Sequence, residues 1–174
     1  MSEAGRLSAL VADALPRGHF LALALCSVRP GLNSLTVANC GLPPLLLCGQ
    51  HGLRDRIESS NFALGIVRDA CFDGAVRSMP IARGEYLVIA SDGVSEAVNR
   101  VGEAFGEARL ESLLALPDGA SGGAPAVVSR ALDLFRGGTP YADDVSVVEL
   151  RFTQDLFGQT AAPPADTTGA REFA

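Results

Sequence analysis

The sequence predicts an α+β fold in which helices cover the faces of antiparallel sheets. Three observations predict it. Segments with helical and strand periodicity follow one another as a helix, many strands, helices and a last strand, without the strand–helix alternation that builds a parallel sheet. Hydrophobic residues make up 48% of 174 positions, enough for one domain with a single sizeable core. Two apolar, β-rich runs also carry acidic residues at one tip. These are Glu85-Tyr86-Leu87-Val88-Ile89-Ala90-Ser91-Asp92-Gly93 and Asp143-Asp144-Val145-Ser146-Val147-Val148.

The elements follow in order. Ser2 is placed to cap a helix over 3–15, with Leu7, Leu10, Val11 and Ala14 on one face, ended by Pro16-Arg17-Gly18. Residues 19–28 read as a strand, 29–33 as a turn and 34–39 as the returning strand. Gly41-Leu42-Pro43-Pro44 breaks the pattern before a short strand over 45–48, and the polar stretch 50–60 reads as a loop. Short strands are predicted over 62–67 and 75–82, after which Arg83-Gly84 turns into the strand ending at Asp92. Helices are predicted over 96–100, 107–116 and 126–135, a loop over 117–123 and a last strand over 144–152. The stretch 154–174, rich in Ala, Pro, Thr and Gly, is expected to be a disordered tail behind a domain spanning 1–153.

Composition removes whole classes of function. A net charge of −6 disfavours a nucleic-acid-binding module, which carries a basic patch against phosphates. All 14 basic residues are Arg. Without Lys there is no Walker-type phosphate loop, no Schiff-base amine and no Ser-x-x-Lys nucleophile. No apolar run approaches the roughly 20 residues of a membrane helix, and the segment 20–26 lacks the flanks of a cleavable leader. The expectation is a soluble cytoplasmic protein with neither a nucleic-acid nor a membrane partner. Cys26, Cys40, Cys48 and Cys71 form no Cys-x-x-Cys pair and are expected to be buried free thiols. His19 and His51 are expected to be packed or surface residues.

The acidic tips carry the chemistry. Neighbouring antiparallel strands would bring Asp92, at the end of one run, to the same edge as Asp143 and Asp144, at the start of the other. Carboxylates gathered at a sheet edge repel unless a cation neutralises them, and hard oxygen ligands suit Mg²⁺ or Mn²⁺. On local sequence alone, an Asp-Gly turn explains Asp92 as well, and a solvated turn explains Asp143-Asp144.

Four segments, in order, resemble the metal-dependent serine/threonine protein phosphatases of the PPM family, in particular the bacterial stage II sporulation protein E branch and response-regulator output domains. Ala38-Asn39-Cys40-Gly41-Leu42-Pro43-Pro44 is similar to the family's Asn-Ala-Gly-His-Pro-Pro turn. Phe62-Ala63-Leu64-Gly65-Ile66 is similar to its Pro-Leu-Gly-Ile/Val segment. Residues 86–99 resemble its strand, Ser-Asp-Gly-Val and Ser-Glu-Ala run, and Asp143-Asp144-Val145-Ser146 its closing Asp-Asp-Ile-Thr motif.

The resemblance implies a layered α-β-β-α sandwich of antiparallel sheets flanked by helices. It implies Asp92 and Asp143 as catalytic metal ligands, with Asp144 beside them in the metal site. It further implies Mn²⁺ or Mg²⁺, two ions in the complete domain, which activate a water for in-line attack on a phosphoserine or phosphothreonine. A phosphorylated regulatory protein is the implied substrate, with an upstream receiver or sensor domain as an implied partner. Asn39 and Ser91 are expected to orient the turn and the site, and Glu96 to cap or solvate a short helix.

Two departures stand out. Leu42 occupies the position of the family's His, and the family's Gly-Asp and Asp-x-x-Gly-His-Gly motifs do not occur. Asp13, Asp55, Asp69 and Asp73 do not lie in comparable contexts. Residues 1–153 therefore read as the C-terminal portion of such a domain, with weak or no activity expected from this chain. The alternatives are a non-catalytic phosphatase-like module that binds a regulatory partner, and a plain α+β domain with acidic turns.

Overall fold

A computed structural model of the chain describes residues 3–66, 75–115 and 123–153. In chain order the elements are α1 (Glu3–Ala14), β1 (Leu23–Arg29), β2 (Ser34–Cys40), β3 (Leu45–Gly49), β4 (Gly52–Ile57), β5 (Arg77–Pro80) and β6 (Tyr86–Ala90). They continue with α2 (Asp92–Glu96), α3 (Glu107–Leu114), α4 (Gly123–Arg136) and β7 (Val147–Arg151). The strands form two antiparallel sheets, ordered β1-β2-β5 and β4-β3-β6-β7.

Strand alternation builds the layers. Leu35 and Val37 of β2 and Met79 of β5 meet Leu45 and Leu47 of β3, Ile57 of β4 and Leu87 of β6 between the sheets. The intervening residues Leu46, Cys48, Tyr86, Val88 and Ala90 face the other way, onto Leu110 and Leu114 of α3 and Val128 and Leu132 of α4. Ala38 and Cys40, on the far face of β2, cluster with Leu64 beneath Val11 of α1. The order is helix, sheet, sheet, helices: the predicted α-β-β-α sandwich. β3 and β6 read as unbroken apolar runs because each is buried on both faces.

The structure corrects several local expectations. The stretch 50–60 contains β4 rather than a loop throughout. β4 lies at a sheet edge and carries Arg54, Asp55 and Arg56, charges that protect an edge strand while erasing its apolar pattern. Within 62–66 there is one bridge, Leu64 to Leu21, in place of a strand. The helix expected over 96–100 starts earlier, as α2, because the chain turns helical directly after Ser91. α1 buries Ser8 rather than Leu10, which is 66% exposed. The Ser8 hydroxyl accepts the Gly65 N–H at 3.2 Å, a polar anchor invisible to apolar periodicity. Cys40 and Cys48 are buried, but Cys26 is exposed on β1, and His19 and His51 are at the surface. Ser2, Cys71, Asp69, Asp73, most of the 117–123 loop and the tail 154–174 lie outside the described residues. Among the described residues, no helix is long and apolar enough to cross a membrane.

Side-chain bonds lock the layers. Arg77 of β5 pairs with Asp55 of β4 at 2.6 Å, joining the sheets. Glu149 of β7 accepts the Ala124 N–H in the first turn of α4 at 2.6 Å, where a carboxylate also suits the helix dipole. Asn39, 1% exposed, organises the β2–β3 connection. Its amide donates to the Leu42, Pro43 and Ile57 carbonyls at 3.3, 3.2 and 3.4 Å, and its oxygen accepts the Leu42 N–H at 3.1 Å.

Two outcomes follow for stability. Asn39→Ala strands those backbone groups and should lower the unfolding free energy by about 1–3 kcal/mol in urea titrations, with an unchanged m-value. Burial, reinforced by the charge of Glu149, pushes the Cys48 thiol up to about 11 from its ordinary 9.0. The unfolded chain therefore releases this proton first, so stability is full below about pH 9 and declines as pH rises towards 11. Denaturant midpoints of Cys48→Ala should decline less over that window than those of the unsubstituted chain.

Candidate metal centre

The end of β6 and the start of β7 meet at one sheet edge, with Ala90 opposite Val147 in the antiparallel register. One residue further on, the two chains are laced together. The Ser91 N–H donates to the Ser146 carbonyl at 2.9 Å, and the Ser146 N–H returns a bond of 2.9 Å to Ser91 Oγ. Ser91 Oγ also donates to the Asp144 carbonyl at 3.0 Å. Gly93 then passes so close that a Cβ there would lie 2.4 Å from the Asp144 carbonyl oxygen. Only hydrogen fits, which is the physical meaning of Asp-Gly at this spot.

The structure thus brings together the segments that carry Asp92, Asp143 and Asp144. All three side chains are exposed. Asp92 Oδ1 accepts the Gly93 N–H at 3.0 Å, and Asp143 Oδ1 accepts the Asp144 N–H at 2.7 Å. Two of the three carboxylates, Asp92 and Asp143, are thereby steadied by their own following amides, and among the described residues none of the three has an ion-pair partner. Carboxylate oxygens are hard donors, so Asp92, Asp143 and Asp144 are the residues here whose chemistry suits a hard divalent cation. Among the described residues, however, no three His, Cys, Asp or Glu side chains gather tightly enough to enclose a metal. Further ligands would have to be water or groups outside those residues.

The other two matched segments support this edge. β3 runs antiparallel to β6, so the β2–β3 turn lies at the end of the sheet where Asp92 leaves it. Gly41 adopts φ +83°, and a Cβ there would fall 2.6 Å from Cβ of Ala63, so the turn rests on the Phe62–Ile66 segment. Leu42 is half-buried and packs against the core between the sheets. A hydrophobic contact therefore occupies the position of the family's His. Glu96 ends α2 and is exposed.

Sequence reasoning missed two arginines. Arg56 of β4 reaches α3, pairing with Glu107 at 2.7 Å and with Glu111, while also binding Glu58 at 2.5 Å. These three carboxylates hold its guanidinium pKa above the ordinary value. Glu107 and Glu111 stand four apart on one helical face, a readable signal whose partner lies on β4, a strand without an apolar pattern. Arg136 stacks over the Tyr141 ring at 3.5 Å and donates to the Thr139 carbonyl, tying down the turn that leads to Asp143. No local pattern signals that contact.

Comparison with known proteins places this geometry. A family model described as Stage II sporulation protein E (SpoIIE) matches residues 3–153. Protein IcfG of Synechocystis sp. is 31% identical over 81 residues, which is 47% of this chain and 12% of that protein. The crystal structure of the RsbU and RsbW domains of Rv1364c from Mycobacterium tuberculosis superimposes with a TM-score of 0.64 at 23% identity, covering 88% of this chain and 42% of that one. The phosphatase domain of SpoIIE from Bacillus subtilis, presoaked with Mn, superimposes with a TM-score of 0.57 at 19% identity, covering 76% of this chain and 57% of that one. The chain thus spans less than two thirds of each of these relatives, and the α+β domain is a partial one. Four ordered motifs, the two-sheet sandwich and the match over 3–153 lead to one conclusion: the chain belongs to the SpoIIE family and carries the fold of its phosphatase domain.

Proposed function

We propose that this chain is the metal-binding C-terminal portion of a phosphoserine/phosphothreonine protein phosphatase domain that acts on a phosphorylated regulatory protein in signalling. The carrying observation is the Ser91–Asp144–Ser146 lacing, which fixes the Asp92 and Asp143 segments at one edge. Asp92 and Asp143 would hold Mn²⁺ or Mg²⁺, with Asp144 beside them. Bound there, the divalent ions would neutralise phosphate charge and supply an activated water for attack on phosphorus. The chain's own groups do the positioning. Ser91 holds the Asp144 carbonyl, Gly93 permits the close approach, and Asn39 shapes the turn at the same sheet end.

A second reading is a non-catalytic phosphatase-like module that grips a regulatory partner. Leu42 packed against the core and the lack of a closed ligand set among the described residues favour it. Mn²⁺ binding separates the two, because a module that only grips a partner has no use for the ion.

Mn²⁺ titration followed by electron paramagnetic resonance should show weak binding that falls at least about tenfold in Asp92→Asn and in Asp143→Asn, since affinity for hard ions follows carboxylate count. Unchanged binding in both variants would overturn the metal assignment. The chain alone should hydrolyse para-nitrophenyl phosphate little with Mn²⁺; brisk turnover would show that the absent acidic motifs are not needed. Gly93→Ala must push the Asp144 carbonyl away. It should cost about 1–3 kcal/mol in thermal unfolding and weaken Mn²⁺ binding as well.

A further inference from the structure

A groove opens beside the carboxylate edge, between α3 and the Pro43-Pro44 turn. Buried Ala90 and Leu110 line it at depth, Ser91 belongs to its wall, and Glu107 and Glu111 stand along it. Ser91 is also the residue that binds the Asp144 carbonyl, so groove and edge share a wall.

The charge beside the groove is unbalanced. One guanidinium, Arg56, serves both lining carboxylates, Glu107 and Glu111, and is shared with Glu58 outside the lining, which leaves the lining at least one negative charge in excess (two minus one). Glu107 keeps 45% of its side chain in solvent despite that pairing. The groove therefore has an apolar bottom and an anionic rim. A phosphorylated side chain carries roughly −1.5 to −2 charge and is repelled by such a rim unless neighbouring residues are positive.

We infer that this groove takes the segment of the phosphorylated partner next to its phosphoserine or phosphothreonine, with an apolar residue at the bottom and an Arg or Lys at the rim. This rests on the phosphatase reading of the adjoining edge and specifies which substrates it accepts. The apolar residue removes its own surface and that of the partly exposed Pro43 and Pro44 from water. A long basic side chain lays its methylene stem against the prolines and sets its head among the glutamates. The basic flank also offsets the repulsion between rim and phosphate, so recognition and phosphate delivery are coupled.

Short phosphoserine peptides that differ only in the flank test this with the full chain in the presence of Mn²⁺. One carries Leu-Arg, one Gly-Arg and one Leu-Glu. Leu-Arg should bind tightest, with amide NMR shifts at Ser91, Ser95 and Leu110, and Leu-Glu should bind about tenfold more weakly. That gap should shrink at high ionic strength, as a solvent-exposed charge contact requires. Glu107→Gln, which keeps an acceptor for Arg56, should narrow the gap between Leu-Arg and Leu-Glu several-fold with an unchanged circular dichroism spectrum. Equal affinities for all flanks, or shifts confined to another face, overturn the groove assignment. Flank-independent binding that still requires Mn²⁺, Asp92 and Asp143 does so while leaving the phosphatase reading standing; only loss of Mn²⁺ binding removes the latter.

Discussion

The Ser91 side chain is the constraint on which the site depends. Its hydroxyl accepts from the Ser146 N–H and donates to the Asp144 carbonyl, so one oxygen fastens the end of β6 to the approach of β7. The backbone bond from Ser91 to Ser146 extends the ladder one step past Ala90 and Val147. Beyond that step the chains diverge into α2 on one side and the Asp143 turn on the other. A Ser at this position thus converts two strand ends into a fixed pair of carboxylate-bearing turns. Gly93 completes the arrangement by leaving room for the Asp144 carbonyl.

The sandwich beneath supplies the rigidity that this lacing needs. β6 is buried on both faces, with Leu87 between the sheets and Tyr86, Val88 and Ala90 under the helices. A strand clamped from both sides cannot rotate, so the direction in which Ser91 and Asp92 emerge is set by core packing. The β2–β3 turn is held by a different device, the buried Asn39 amide, which satisfies several backbone groups at once. Two polar side chains of modest size therefore organise this end of the domain. The exposed carboxylates add charge there without counter-ions from the described residues.

The sequence was most legible where a residue's chemistry has one structural use. Unbroken apolar runs at 45–48 and 86–90 announced strands, which the structure buries on both faces, and Asp-Gly after the second announced a tight exit. It was least legible where polar residues sit in regular structure. β4 hides behind Arg54, Asp55 and Arg56 because an edge strand shows its charges to water. α1 turns on Ser8, whose buried hydroxyl bonds Gly65 while Leu10 stays in solvent. Arg136 over Tyr141 joins residues separated by Gly137-Gly138-Thr139-Pro140, a contact made by a turn rather than by any periodic spacing.

By itself the sequence determined the chemical inventory: carboxylates at strand tips, no lysine, the fold class and the ordered motifs of one family. It determined these because composition, periodicity and a few obligatory residues are local properties of the chain. Only the tertiary structure decided that the Asp92 and Asp143 segments share an edge, since that depends on β6 pairing with β7 across more than fifty residues. Tertiary packing also decided that Leu42 packs against the core and that Glu107 and Glu111 stand beside a groove. Such assignments depend on which surfaces meet, and that is settled by the energy of the packed whole rather than by any segment alone.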